Sequence, residues 1–184
     1  MKIINHWLDC AIQILSPNYN CRPDETDISL CVIHCISLPP GEFGTPYITQ
    51  LFCNELNPEG HAYFESISRL KVSAHIVINR NGGITQYVPF NKRAWHAGQS
   101  EYRGRTDCND FSIGIELEGI ETNEYTDEQY RQLAAVIGCL QKHYPKLSTK
   151  HITGHSDIAP GRKTDPGAIF DWEKLYRLLG GLTK

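Results

Sequence analysis

The sharpest period in the chain is the alternation over residues 111–119, Phe-Ser-Ile-Gly-Ile-Glu-Leu-Glu-Gly. Ile113, Ile115 and Leu117 fall on one face of a strand, and Ser112, Gly114, Glu116 and Glu118 on the other. Residues 28–37 are instead apolar almost without interruption, which predicts a central strand with His34 near its C-terminal end, closed by Pro39-Pro40-Gly41. Two β-rich runs, 72–79 and 83–88, flank Asn79-Arg80-Asn81-Gly82-Gly83, where the Asn-Gly pair predicts a hairpin with positive φ angles. Helical spacing takes over elsewhere. Thr45-Pro46 reads as an N-cap and first-turn proline for a helix through Ile48, Leu51, Phe52 and Leu56. Thr126 and Gln129 form a capping box ahead of Tyr130, Leu133, Ala134, Ile137, Leu140 and Tyr144, with Pro145 as the stop. A short strand, 151–153, precedes a stretch without period, and a last helix starts near Asp171 with Trp172, Leu175, Leu178 and Leu179 turned inward. This order of elements predicts an α/β protein, a single domain with a mixed β-sheet flanked by helices.

Composition narrows the function classes. At 184 residues and a net charge of -3, the chain has the size of one domain and no basic field to hold nucleic acid. No stretch approaches a membrane span, and polar residues break the N-terminus before any apolar run of signal-peptide length, so a cytoplasmic protein is expected. The 7 cysteines are odd in number and scattered through apolar segments, as suits reduced thiols rather than a disulfide framework.

The candidate chemistry gathers where strands give way to loops. His34, His155 and Asp165 stand at such places, and two imidazoles with one carboxylate suit Zn²⁺ with a fourth position left open. Cys31 and Cys35 offer a rival thiolate pair. A thiol nucleophile at Cys35 is disfavoured, since neighbours on a strand point to opposite faces. Glu116 and Glu118 share a strand face. It is either solvated or part of a cleft, where a glutamate, Glu116 the better placed, would accept a proton. Lys163 in the pinned loop is a candidate to balance an oxyanion, with Arg162 read as solvated. Trp95 and His96 in Arg-Ala-Trp-His-Ala-Gly (93–98) are either a stacking surface or a core anchor with its hydrogen-bonding neighbour.

Five segments carry a resemblance: HCISLPPGEFG (34–44), VSAHIVINRNGGITQYVPFNKRAWHAG (72–98), CNDFSIGIELEG (108–119), YTDEQYRQLAAV (125–136) and TGHSDIAPGRKTDPG (153–167). In this order they resemble the zinc-dependent N-acetylmuramoyl-L-alanine amidases of bacterial cell-wall recycling, from about Leu15 to Trp172. The resemblance implies a mixed sheet flanked by helices, related to phage amidases and peptidoglycan recognition proteins. It also implies hydrolysis of the amide between the lactyl group of 1,6-anhydro-N-acetylmuramic acid and L-alanine. Carried over, His34, His155 and Asp165 hold one Zn²⁺, Glu116 accepts the proton and Lys163 stabilises the transition state. Candidate substrate contacts are Cys35, Lys71, Trp95, His96 and Arg105. The sequence departs from the family at two of these, with Cys35 where asparagine is usual and Lys71 where arginine is frequent. The expected partner is a small muropeptide, with no nucleic acid, membrane or obligate protein partner. The alternatives are a non-catalytic muropeptide-binding module and an amidase of intact wall.

Overall fold

The computed structural model describes residues 1–180, and its centre is a six-stranded mixed sheet. In chain order the strands are β1 (Ile12–Gln13), β2 (Leu30–Ile36), β3 (Ile76–Ile78), β4 (Ile84–Gln86), β5 (Ser112–Glu118) and β6 (Ile152–Gly154). Their spatial order is β6-β2-β5-β3-β4-β1, and β6, β2, β5 and β3 run parallel. Four parallel strands therefore end along one edge of the sheet, the usual place for a site in such sheets. The β3–β4 pair is the expected antiparallel hairpin. Its turn needs only one positive φ, at Gly82 (85°), because the Asn79 side chain accepts from Gly83 N at 2.7 Å and closes the loop.

The helices are α1 (Tyr47–Phe52), α2 (Ala62–Ile67), α3 (Asp127–His143), α4 (His155–Ile158) and α5 (Trp172–Leu178). α3 carries the capping box as read: Thr126 Oγ1 accepts from Gln129 N at 3.1 Å, and Gln129 Oε1 accepts from Thr126 N at 3.1 Å. Its apolar stripe packs with Ile113, Ile115 and Leu117 into the main core, where a fully buried Leu or Ile contributes about 1.5–3 kcal/mol. α1 and α2 cover the opposite face through Leu51, Phe52 and Phe64 against Val77 and Val88. A third cluster, Leu30, Val32, Ala97, Cys108, Phe111 and Ile158, lies beneath the loop that carries Trp95 and His96. Leu8 and Leu175 are fully buried, so the packed core reaches past both ends of the 15–172 span.

Some local expectations differ from the structure at helix ends. Thr45 does not cap α1; its hydroxyl donates to Leu38 O at 2.7 Å, and Pro46 takes the capping position. α1 stops at Phe52, leaving Leu56 buried outside it. α2 is not among the elements the sequence predicts; in the structure the His61 ring caps it, accepting from Tyr63 N. Asp171 caps α5 through Lys174 N, and Leu175 is buried as read, but Leu178 is 46% exposed and lines a shallow depression with Asp127 and Arg131 of α3. No helix among the described residues is long and apolar enough to cross a membrane.

Candidate active site

β5 shows how the sheet builds the site. All seven of its residues are buried, so the polar face of the alternation is not solvated. Glu118 accepts from Gly44 N at 2.6 Å and Arg80 N at 3.1 Å, which makes it a staple between two loops. Glu116 pairs in register with His34 of β2, and Gly154, the last residue of β6, lies beside Ile33. His155 therefore begins one residue past the sheet, at the first position of α4. The chain returns after Gly161, and Ser156 N donates to Asp165 O at 2.9 Å, bringing Asp165 alongside His155.

His34 Nδ1 lies 3.0 Å from His155 Nδ1, and each nitrogen lies 3.1 Å from Asp165 Oδ2. These three form the one group of three or more metal-type ligands among the described residues, and all are buried. Protons alone do not account for this triangle. His155 Nε2 sits 3.0 Å from the Ala97 carbonyl and donates to it, which leaves Nδ1 free to present a lone pair to a cation. Burial foremost, with the neighbouring His155 and Lys163, pushes the His34 imidazole down to about 4 against the pull of Asp165, so it too is neutral at physiological pH. Burial raises the Asp165 carboxyl, but contacts with His155 and His34 outweigh it and hold the group below the usual carboxylate range. Three electron-pair donors then meet at one point, and their spacing is close to the edge of roughly 3.3 Å expected for ligands about 2.0–2.1 Å from a tetrahedral Zn²⁺. The donor set fits such an ion.

Glu116 stands beside this cluster with Oε2 buried and without a hydrogen-bond partner. Burial first, then the Asp165 charge, raises its carboxyl well above the ordinary value, partly offset by Lys163. An orphaned buried carboxylate oxygen costs about 1–3 kcal/mol or more, a cost that structural carboxylates such as Glu118 avoid.

The cluster lies in a cleft of about 650 Å³. Cys35, Trp95, His96, Glu116 and Lys163 line it. Lys163 is exposed at the rim. Cys35 sits by Gly119 and Tyr125, and burial pushes its thiol up to about 12; Cys31 is raised in the same way, and among the described residues neither belongs to the metal-type ligand group. Trp95 donates from Nε1 to Asn20 Oδ1 at 2.9 Å. Two expected substrate contacts are not in the cleft. Arg105 pairs with Asp27 at 2.5 Å and lies over the Phe111 ring, lining a separate depression. Lys71 is exposed beside Val72, which lines the cleft where Lys71 does not. Arg162 is not merely solvated: its guanidinium donates to Ala97 O and Gln99 O, both at 2.6 Å. Asn109 carried no sequence expectation, yet its Oδ1 accepts from His96 N at 3.1 Å and Ala97 N at 2.8 Å.

A mixed sheet whose strand ends and following loop bring two histidines and an aspartate together beside a raised glutamate has the donor set of a metal-dependent hydrolase. Comparison with known proteins narrows the class. Residues 24–168 match the family described as N-acetylmuramoyl-L-alanine amidase. The chain is 58% identical over 179 residues to the 1,6-anhydro-N-acetylmuramyl-L-alanine amidase AmpD of Escherichia coli K12, covering 97% of each. A crystal structure of AmpD superposes with a TM-score of 0.95 at 56% identity, covering 97% of this chain and 99% of that one. The E. coli amidase AmiD, bound to anhydro-N-acetylmuramic acid-L-Ala-D-γ-Glu-L-Lys as substrate, aligns with a TM-score of 0.61 at 28% identity, over 85% of this chain and 59% of that one. The chain belongs to the N-acetylmuramoyl-L-alanine amidase family, and it is a hydrolase of that family.

Proposed function

We propose that this chain, acting as one domain in the cytoplasm, hydrolyses the amide between the lactyl group of 1,6-anhydro-N-acetylmuramic acid and L-alanine in fragments released during peptidoglycan recycling. The observation that carries the reading is the His34–His155–Asp165 triangle beside the orphaned Glu116 carboxylate. The AmpD relatives support the substrate class, and AmiD with its bound anhydromuramyl tripeptide supports a small-molecule partner.

Zn²⁺ held by His34, His155 and Asp165 would act as a Lewis acid toward the scissile carbonyl and lower the pKa of water. The chain's own residues carry the rest. Glu116 takes the proton of the attacking water; burial raises its carboxyl above the ordinary value, which suits it to hold that proton until it is passed on. The hydroxyl adds to the lactyl carbonyl carbon, and the ammonium of Lys163 at the rim faces the oxygen where negative charge develops. The carbon–nitrogen bond then breaks, and Glu116 returns its proton to the departing L-alanine nitrogen. Trp95 and Cys35 contact the substrate from the wall of the cleft.

Mass spectrometry of an anhydromuropeptide digest tests this reading. The zinc-loaded protein should release an intact stem peptide beginning with L-alanine, and Asp165→Ala and Glu116→Ala should lose at least about 10²-fold in rate. Equal rates for metal-stripped and loaded protein would overturn the metal role, and full rate in Glu116→Ala would overturn the base.

A further inference from the structure

His96 is named above as a substrate contact, yet its ring is engaged on both sides. His34 Nε2 lies 2.9 Å from His96 Nδ1, and His96 Nε2 lies 3.1 Å from Ser112 Oγ. Space for the ring is built into the strand opposite: a Cβ on Gly114 would fall 2.4 Å from the His96 Cγ and 2.6 Å from Nδ1. The backbone is fixed as well, since Asn109 Oδ1 accepts both the His96 and Ala97 N–H groups. The next carbonyl, Ala97 O, is the partner of His155 Nε2. One dipeptide thus supplies the outer hydrogen-bond partner of both histidines in the cluster.

We infer that His96 is a positioning residue: it accepts the Nε2 proton of His34 and so fixes the ring orientation and tautomer that present Nδ1 to the metal. The inference rests on the metal reading of the His34–His155–Asp165 cluster. With Nδ1 of His34 committed to the cluster, its proton resides on Nε2 and is donated to His96 Nδ1. His96 then keeps its own proton on Nε2, directed at Ser112 Oγ. Outer partners of this kind are worth about 10–100-fold in metal affinity in metal sites generally. The Asn109 clamp holds this acceptor in place without a further side-chain contact to the cluster.

The test is zinc affinity of the full chain, measured by competition with a chelating dye, together with thermal unfolding of the metal-free protein. His96→Leu removes the acceptor while retaining bulk, and should weaken zinc binding by about 10–100-fold. In His96→Asn, the amide oxygen occupies the place of Nδ1 and should restore affinity to within about threefold of wild type. Ser112→Ala should have a smaller effect, about two- to fivefold. Nitrogen-15 NMR of zinc-loaded wild type should show His34 protonated at Nε2. The inference is overturned if folded His96→Leu binds zinc like wild type, or if folded His96→Asn is as weak as His96→Leu. Should His96→Leu not fold, the Asn and Ala variants decide. Failure of wild type itself to bind zinc would instead overturn the metal reading on which this rests.

Discussion

Arg22 and Glu116 are both ionisable groups driven into the interior, 5% and 9% exposed, and both meet strand β5. Their surroundings differ in completeness. The Arg22 guanidinium donates to the carbonyls of Phe90 (3.2 Å), Asn109 (3.0 Å), Asp110 (3.0 Å) and Ser112 (2.7 Å) and meets His75 Nε2 at 3.1 Å. His75 in turn accepts from Gly114 N at 3.0 Å. Its desolvation still shows, for burial lowers the Arg22 pKa to about 10, but its donors are spent on neighbours. At the other end of the strand, Glu116 has an oxygen with no partner, and three ligand atoms crowd together within reach of one cation. A buried polar group whose bonds are complete holds a fold together; one left incomplete beside a cleft is waiting for a ligand.

The contrast can be broken from either side. The largest effect is expected at the complete cluster: Arg22→Ala orphans several buried acceptors at once and should cost about 3–5 kcal/mol of unfolding free energy in urea titration. A cost below about 1 kcal/mol would mean that water replaces the guanidinium readily, and that completeness there matters little. Next comes the cleft. Lys163→Ala, at an exposed position, should lower kcat by about 10²–10³-fold with little change in urea midpoint. Unchanged kcat would remove Lys163 from the chemistry.

The smallest effect sharpens the comparison, because it has the opposite sign. Glu116 is raised in the folded protein, so in the metal-free state its contribution to stability is full below its unfolded pKa of about 4.3 and is lost as pH rises toward its folded value. Glu116→Gln removes that loss. The metal-free variant should match wild type near pH 4 and exceed it by about 1–2 kcal/mol at pH 8, while its amidase activity is abolished. A variant less stable than wild type at pH 8 would show that the carboxylate is satisfied after all.

Much of this arrangement was legible in the sequence, and the limits have physical causes. The alternation in β5, the capping box of α3 and the apolar strand with His34 near its C-terminal end are local patterns, and each forms as the pattern requires. His34 and His155 stand out at strand ends, Glu116 on the polar face of its strand, and Lys163 and Asp165 in the proline- and glycine-rich loop, and parallel register brings their segments together. Arg22, His75 and Asn109 gave no local sign, because their partners lie between 12 and 90 residues away. The same distance effect draws Arg105 to Asp27, whereas Thr45 is drawn off by a nearby carbonyl, Leu38 O, that its cap pattern does not reveal. Glu118 shares the strand face of Glu116, and position along the strand favours Glu116; the two backbone partners of Glu118 are what make it a staple.

The central claim is that the incomplete cluster is a zinc site built from two imidazoles and a carboxylate. X-ray absorption at the zinc edge of the loaded protein addresses it most directly. One zinc per chain is expected, with nitrogen and oxygen neighbours only at about 2.0–2.2 Å, and loss of that shell in Asp165→Ala. A sulfur shell at about 2.3 Å, pointing to Cys31 or Cys35, or the same shell in Asp165→Ala, would contradict it.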